Sequence, residues 1–279
     1  MVRRAIRNAA SNRKTTVSEL LILIVLGVIE GVTEFLPISS TGHLLIAEHW
    51  LGHRSDVFNV VIQAGAILAV VLIYRQRLWQ LATGLADARN RDYAMKLAVA
   101  FAITAVLGFI ATRLGFKLPE TITPIAWALI IGGLWMFAAE AIAARQPERT
   151  EITWRVAILI GLAQVVAAIF PGTSRSAATI FVALIAGTGN RAAATEFAFL
   201  VGIPTMFAAS GYELLKAMKA GGGHEDWSAL AIAFVVSLIT AFVAVKWLLS
   251  YIRTHRFTPF AIYRIVLGVV LLIALPAGV

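Results

Sequence analysis

Two acids stand where acids are costly. Glu30 and Glu34 lie in the run Leu20–Leu36, which is otherwise apolar. A spacing of four puts both carboxylates on one helix face, roughly 5–6 Å apart at Cβ. The residue before a proline avoids the helical region, so Pro37 predicts a helix end near Leu36. Both acids then sit in the last turns, where the helix dipole favours cations. An acid at the bilayer centre costs about 2.5–3.5 kcal/mol on insertion scales. A divalent cation relieves all three penalties, and hard Mg²⁺ or Ca²⁺ prefers carboxylate oxygen. The bland alternative is a pair of acids at a wet interface.

Directly after comes Pro37-Ile38-Ser39-Ser40-Thr41-Gly42-His43. Ser39, Ser40 and Thr41 are natural N-caps for a helix beginning near Gly42. Such a start offers free N–H donors and a positive dipole end, which suit phosphate. His43 falls in the first turn, where it could act as acid, base or nucleophile, or simply lie at an interface. A third element, Pro171-Gly172-Thr173-Ser174-Arg175-Ser176, sets one arginine among hydroxyls and again opens a short apolar helix. The planar guanidinium fork matches phosphate oxygens. A snorkelling interfacial arginine is the plain alternative.

The elements that must hold these residues are membrane helices. The chain of 279 residues is 59% hydrophobic and 14% charged, with a mean hydropathy of +0.84. A soluble domain averages about a quarter charged residues. Apolar stretches run over Leu20–Leu36, Phe58–Tyr74, Leu97–Thr112, Ile122–Ala144, Trp154–Phe170, Ala177–Ile185, Phe197–Ser210, Leu230–Tyr251 and Phe257–Leu275. A spanning helix needs about 20 residues. Ala177–Ile185 is too short, and the two acids interrupt Leu20–Leu36. Short or broken segments at membrane depth predict re-entrant hairpins, covered by protein.

An internal repeat supports this. Gly27–His43 reads GVIEGVTEFLPISSTGH, and Gly161–Ala177 reads GLAQVVAAIFPGTSRSA. Without gaps, Gly27 meets Gly161, Glu30 meets Gln164, Val32 meets Val166, Pro37 meets Pro171 and Ser40 meets Ser174. Each copy is an apolar helix, a proline stop, a Ser/Thr cluster and a short apolar helix. Interrupted segments at matching places in two halves point to a midplane site between inverted repeats. The expected organisation is a basic polar tail over 1–18, not cleaved, and one membrane domain over 19–279, its repeats covering about 19–145 and 152–279.

The net charge is +9, from 24 Lys and Arg against 15 Asp and Glu. In a membrane protein that reads as attraction to anionic head groups rather than to nucleic acid. The connections are Arg75–Arg91, Arg145–Glu151 and Ala220–Trp227, and basic residues occur in nearly all of them, so charge counting along the sequence gives no orientation. No cysteine is present, which removes thiol chemistry and Cys-ligated metal. Glu196, Gln63 and Glu140 are candidates to support the site from apolar segments, and Tyr263 and Arg264 to anchor the last helix.

The run from Glu30 to His43 resembles the signature of the bacterial undecaprenyl pyrophosphate phosphatase family, the bacitracin-resistance proteins. Pro171–Ser176 is similar to its second signature. Glu196-Phe197-Ala198-Phe199-Leu200 and Phe257-Thr258-Pro259-Phe260-Ala261-Ile262-Tyr263-Arg264 are similar to two further stretches. The likeness runs in order from about Leu20 to the C-terminus. Ala177 departs from it, standing where the family commonly has glycine. The resemblance implies an all-α integral membrane bundle of inverted repeats, with about six transmembrane helices and two re-entrant hairpins. It implies a multi-pass enzyme of the bacterial inner membrane, its site opening to the outer, periplasmic face. The implied reaction removes the terminal phosphate of undecaprenyl diphosphate with a divalent cation, recycling the lipid carrier for peptidoglycan and other wall polymers.

Residues and resemblance together assign Ser40, His43 and Glu34 to catalysis. Arg175, Ser174, Ser176, Ser39 and Thr41 go to the diphosphate, and Glu30 and Glu34 to the metal. The nucleophile stays open between Ser40, His43 and a metal-bound water. The partners are the polyprenyl diphosphate and membrane lipids, with homo-oligomerisation left open. The rival reading is a transporter that flips polyprenyl phosphate through the same site; a lipid-binding scaffold fits so polar a site poorly.

Overall fold

The computed structural model describes residues 19–116, 121–219 and 227–274, and the basic tail 1–18 lies outside the described residues. The described chain is helical throughout. Helix α1 (19–33) leads through a turn into α2 (Ser40–Leu51). Then follow α3 (Asp56–Ile73), α4 (Arg75–Thr83), α5 (Ala88–Arg113) and α6 (Ile122–Ala143). The second half comprises α7 (Trp154–Ile169), α8 (Arg175–Ala186), α9 (Arg191–Lys219), α10 (Trp227–Tyr251) and α11 (Thr258–Ala274). Five of these, α3, α5, α6, α9 and α10, are long and apolar enough to cross a membrane. With its 17 residues, α11 is a sixth at the lower limit. The protein is a multi-pass membrane protein.

The elements depart from the apolar runs where polar residues join a helix. The connection expected at Arg75–Arg91 contains α4, whose polar composition hides it from a hydropathy reading. Helix α5 begins at Ala88 because Asp87 caps it, accepting from Asn90 N at 3.0 Å. Helix α9 likewise extends beyond its apolar centre and runs through Pro204.

The short segments are re-entrant. After α8 the chain returns to the end of the bundle where α7 began: Thr188 Oγ1 donates to Glu151 O at 2.9 Å. After α2 it returns to the start of α1, where Arg54 pairs with Glu19 at 3.0 Å. The alternation of spans puts these hairpins at opposite ends, so the halves are inverted. Packing follows the same symmetry: α7 of the second hairpin lies on α5, and α1 of the first lies on α10. Small residues permit both approaches. A Cβ on Gly27 would sit 2.9 Å from Ala233 O, and one on Gly161 would sit 2.8 Å from Ala100 O.

The internal alignment needs one correction. Helices α2 and α8 have 12 residues each, with N-caps Ser39 and Ser174 in matching left-handed conformations, φ 76° and 68°. Their hydroxyls accept from Gly42 N and Ala177 N, both at 3.3 Å. Ser174 therefore matches Ser39, not Ser40. The second turn is one residue longer, and Gly172, with φ 88°, supplies the extra backbone reversal. Ser40 and Arg175 then hold the same place, each the first residue of its short helix.

Candidate active site

The two hairpin tips meet inside the bundle. Proline ends the entering helix in each copy, and a serine cap starts the departing one. The N-termini of α2 and α8 thus converge on one region, presenting free N–H groups and positive dipole ends. Ser176 Oγ donates to Leu36 O at 3.0 Å, tying one tip to the other. Ser174 and Ser176 hydroxyls lie 3.0 Å apart.

At this junction the hydroxyl of Ser40 donates to Glu34 Oε2 in a short hydrogen bond. Both residues are buried, as is Glu30. Glu30 lies close enough to Glu34 and Arg175 to feel both charges. Its Oε2 has no hydrogen-bond partner, and neither has the buried Nη1 of Arg175. Glu34, Arg175, Ser176 and Thr179 line a common small cleft, closed by Phe35, Phe199 and Met206. A second cavity of about 360 Å³ reaches Arg175 from the side. Its wall includes Thr112 and Tyr212, near the end where α1 starts, and Gln164 deeper in.

His43 lies in the first turn of α2, as expected, and both ring nitrogens are engaged. Nδ1 lies 2.7 Å from Ser39 O and Nε2 lies 2.7 Å from Tyr263 Oη. A carbonyl only accepts, so Nδ1 carries the proton, and in the neutral ring Nε2 accepts from the tyrosine hydroxyl. The two rings also stack, 9° from parallel. Ser40 and His43 are thus not hydrogen-bonded to each other; the serine's partner is a carboxylate. Thr41 is exposed, and the Ser39 hydroxyl is used as a helix cap.

The residues suggested as support divide. Gln63 accepts from Ser210 at 3.3 Å where α3 meets α9. Glu196 pairs with Arg77 at 3.2 Å, and Glu140 binds Arg191 at 2.9 Å and Phe257 N at 3.0 Å. Both acids fasten helix ends away from the tips. Arg264 is a fully buried anchor. It donates to Thr173 O, Gly172 O and Ala128 O at 3.0 Å, and to Pro37 O at 3.3 Å. One guanidinium therefore braces both hairpin turns against α6. Tyr263 reaches His43, a role no sequence signal marked beyond its place beside Arg264.

Among the described residues, no group of three or more His, Asp or Glu stands together to hold a metal ion. The pair Glu30 and Glu34 nevertheless suits Mg²⁺, which uses one or two carboxylates and completes its shell with phosphate and water oxygens. The unpartnered Glu30 oxygen is consistent with that fit. The arrangement combines a hydroxyl bonded to a carboxylate, a guanidinium fork, a second acid and two helix N-termini in a mostly apolar surround, parts that suit phosphoryl transfer.

Comparison with known proteins agrees. The family model described as bacitracin resistance protein BacA matches residues 23–270. A protein of Rhizobium etli named undecaprenyl-diphosphatase is 74% identical over 249 residues, covering 89% of this chain and 94% of that protein. One of Xanthomonas oryzae pv. oryzae with the same name is 64% identical over 262 residues, covering 94% of this chain and 99% of its own length.

Proposed function

The chain belongs to the bacitracin resistance protein BacA family, and on that premise we infer that it is an undecaprenyl-diphosphatase. It hydrolyses undecaprenyl diphosphate to undecaprenyl phosphate and inorganic phosphate, returning the lipid carrier to cell-wall synthesis. The observation that carries the assignment to this site is the Ser40 hydroxyl bonded to Glu34, which lines one cleft with Arg175.

Ser40 Oγ attacks the terminal phosphorus while its proton passes to the Glu34 carboxylate. The bond from phosphorus to the bridging oxygen breaks, and undecaprenyl phosphate leaves. Water then cleaves the phosphoserine, and inorganic phosphate departs. Arg175 binds the phosphoryl oxygens as charge redistributes, with the N–H groups at the starts of α2 and α8 around it. His43, held by Tyr263 and Ser39 O, stands one helical turn along α2 and meets the diphosphate rather than the Ser40 hydroxyl. Glu30, with Glu34, would hold the divalent cation, Mg²⁺ or Ca²⁺. When bound, the cation would neutralise phosphate charge.

The site opens to the outer face of the bacterial inner membrane. Once the helices are arranged, Arg75, Arg77, Arg89, Arg91, Arg145, Arg149, Arg155, Arg191, Arg253 and Arg256 gather at one end. Arg54, Arg113, Lys216 and Lys219 are at the other. Among the described residues, the positive-inside rule makes the crowded end cytoplasmic. The cavity that reaches Arg175 runs toward the opposite end, past Thr112 and Tyr212.

The test is phosphate release from undecaprenyl diphosphate by the purified full chain in detergent with Mg²⁺. Detergent leaves no second compartment, so hydrolysis is separated from carriage. Release by wild type and its loss in Ser40→Ala support the reading. An inactive wild type refutes the activity, and an active Ser40→Ala refutes the nucleophile.

A further inference from the structure

Gln164 occupies in α7 the place that Glu30 occupies in α1, and it is 1% exposed. Its Nε2 donates to Thr104 Oγ1 at 3.1 Å. That hydroxyl has one proton, directed at Ala100 O, 2.9 Å away, and Gly161 O, 3.0 Å away. Carbonyls only accept, so the hydroxyl in turn accepts from the amide, and the Gln164 side chain is fixed with Oε1 turned away. Oε1 is buried and has no partner. Gln164 and Arg175 both line one cavity, and Arg175 Nη1 is likewise buried and unpartnered. Two residues that line one space thus carry an unused acceptor and an unused donor. Buried polar atoms without partners are rare, and a functional site is among the reasons for them.

We propose that Gln164 is a positioning residue for Arg175. With the diphosphate bound, Gln164 Oε1 accepts one guanidinium N–H, and the rest of the fork faces the phosphate oxygens. This rests on the hydrolase reading above. The residue type matters for a physical reason. A glutamate here, as in the other copy, would ion-pair with Arg175 and compete with phosphate for it. A neutral amide orients the fork without cancelling its charge.

The experiment uses the full chain in detergent with Mg²⁺ and farnesyl diphosphate, read by phosphate release. Gln164→Met keeps the length of the side chain and removes the acceptor; kcat/KM should fall about tenfold, close to 1.4 kcal/mol. Gln164→Glu should raise KM at neutral pH, and its deficit relative to wild type at the same pH should narrow as pH falls and the new carboxyl protonates. In an Arg175→Lys background the fork is gone, so Gln164→Met should cost less than about twofold more. Wild-type kinetics in Gln164→Met would overturn the proposal, as would a full further tenfold loss in the Arg175→Lys background. Thermal unfolding accompanies each variant, and if Gln164→Met does not fold, the pH dependence of Gln164→Glu decides. A pH-independent deficit there counts against the proposal. A wild type that releases no phosphate would instead sink the hydrolase reading, a result distinct from either.

Discussion

Arg264→Met removes the brace between the two hairpin turns. Three acceptors in those turns, Pro37 O, Gly172 O and Thr173 O, lose a donor, whereas Ala128 O keeps its partner within α6. A buried acceptor left unsatisfied costs about 1–3 kcal/mol. Carbonyls tolerate this better than N–H groups do, so the low end applies, and the sum is about 3 kcal/mol. Removing a fully buried charge returns part of its desolvation cost, which leaves a net loss of roughly 1–3 kcal/mol, against a total stability on the order of 5–15 kcal/mol. The unfolding midpoint in detergent should drop by about 3–10 °C. Turnover should fall further than stability, because Ser40 and Arg175 each begin a helix directly after a turn that Arg264 holds. A displacement of 1 Å can cost about a hundredfold in rate. Arg264→Lys keeps a charge but not the fork, and it should lie between wild type and Arg264→Met in both measurements. An unchanged midpoint and rate in Arg264→Met would refute the brace. Full rescue by lysine would show that charge, not the fork, is what the turns need.

Chelation with EDTA should abolish phosphate release, Mg²⁺ should restore it, and Glu30→Gln should lower turnover by orders of magnitude; full activity of metal-free protein would end the cation assignment. Arg175→Lys should lose at least about tenfold in kcat/KM, since a point charge replaces a bidentate fork. Arg175→Ala should lose far more, with unfolding in detergent showing that both variants still fold. Tyr263→Phe should reproduce part of the loss seen in His43→Ala, and combining the two should add nothing, because the tyrosine hydroxyl acts on the imidazole. A multiplied loss in that double variant would separate the two residues. Farnesyl diphosphate should be a slower substrate than the undecaprenyl compound, and inorganic pyrophosphate a poor one; equal rates would contradict a site at membrane depth.

The sequence by itself determined the membrane class, the spans, the two broken segments and which residue types stand at the tips. These rest on local physics. Apolar length marks a span, Pro37 and Pro171 stop helices, serine starts them, and two acids four apart share a face whatever surrounds them. What stayed hidden depended on elements far apart in the chain. An ungapped alignment matched Ser40 with Ser174, because the extra residue at Gly172 shows only as a left-handed turn. Counting along α2 put His43 in the first turn but named no partner for it or for Ser40. Folded, the serine hydroxyl meets Glu34 from the preceding turn, while Tyr263, 220 residues away, takes the imidazole. The acids at Glu140 and Glu196 proved to be fasteners of helix ends because Arg191 and Arg77 come to them. The uneven distribution of basic side chains, too, appeared only when alternation sorted the connections between two ends. Helix periodicity and caps act within a few residues, so one chain segment reveals them. Which carboxylate, guanidinium or ring meets which depends on helix crossings, and close approaches such as those at Gly27 and Gly161 set those in three dimensions.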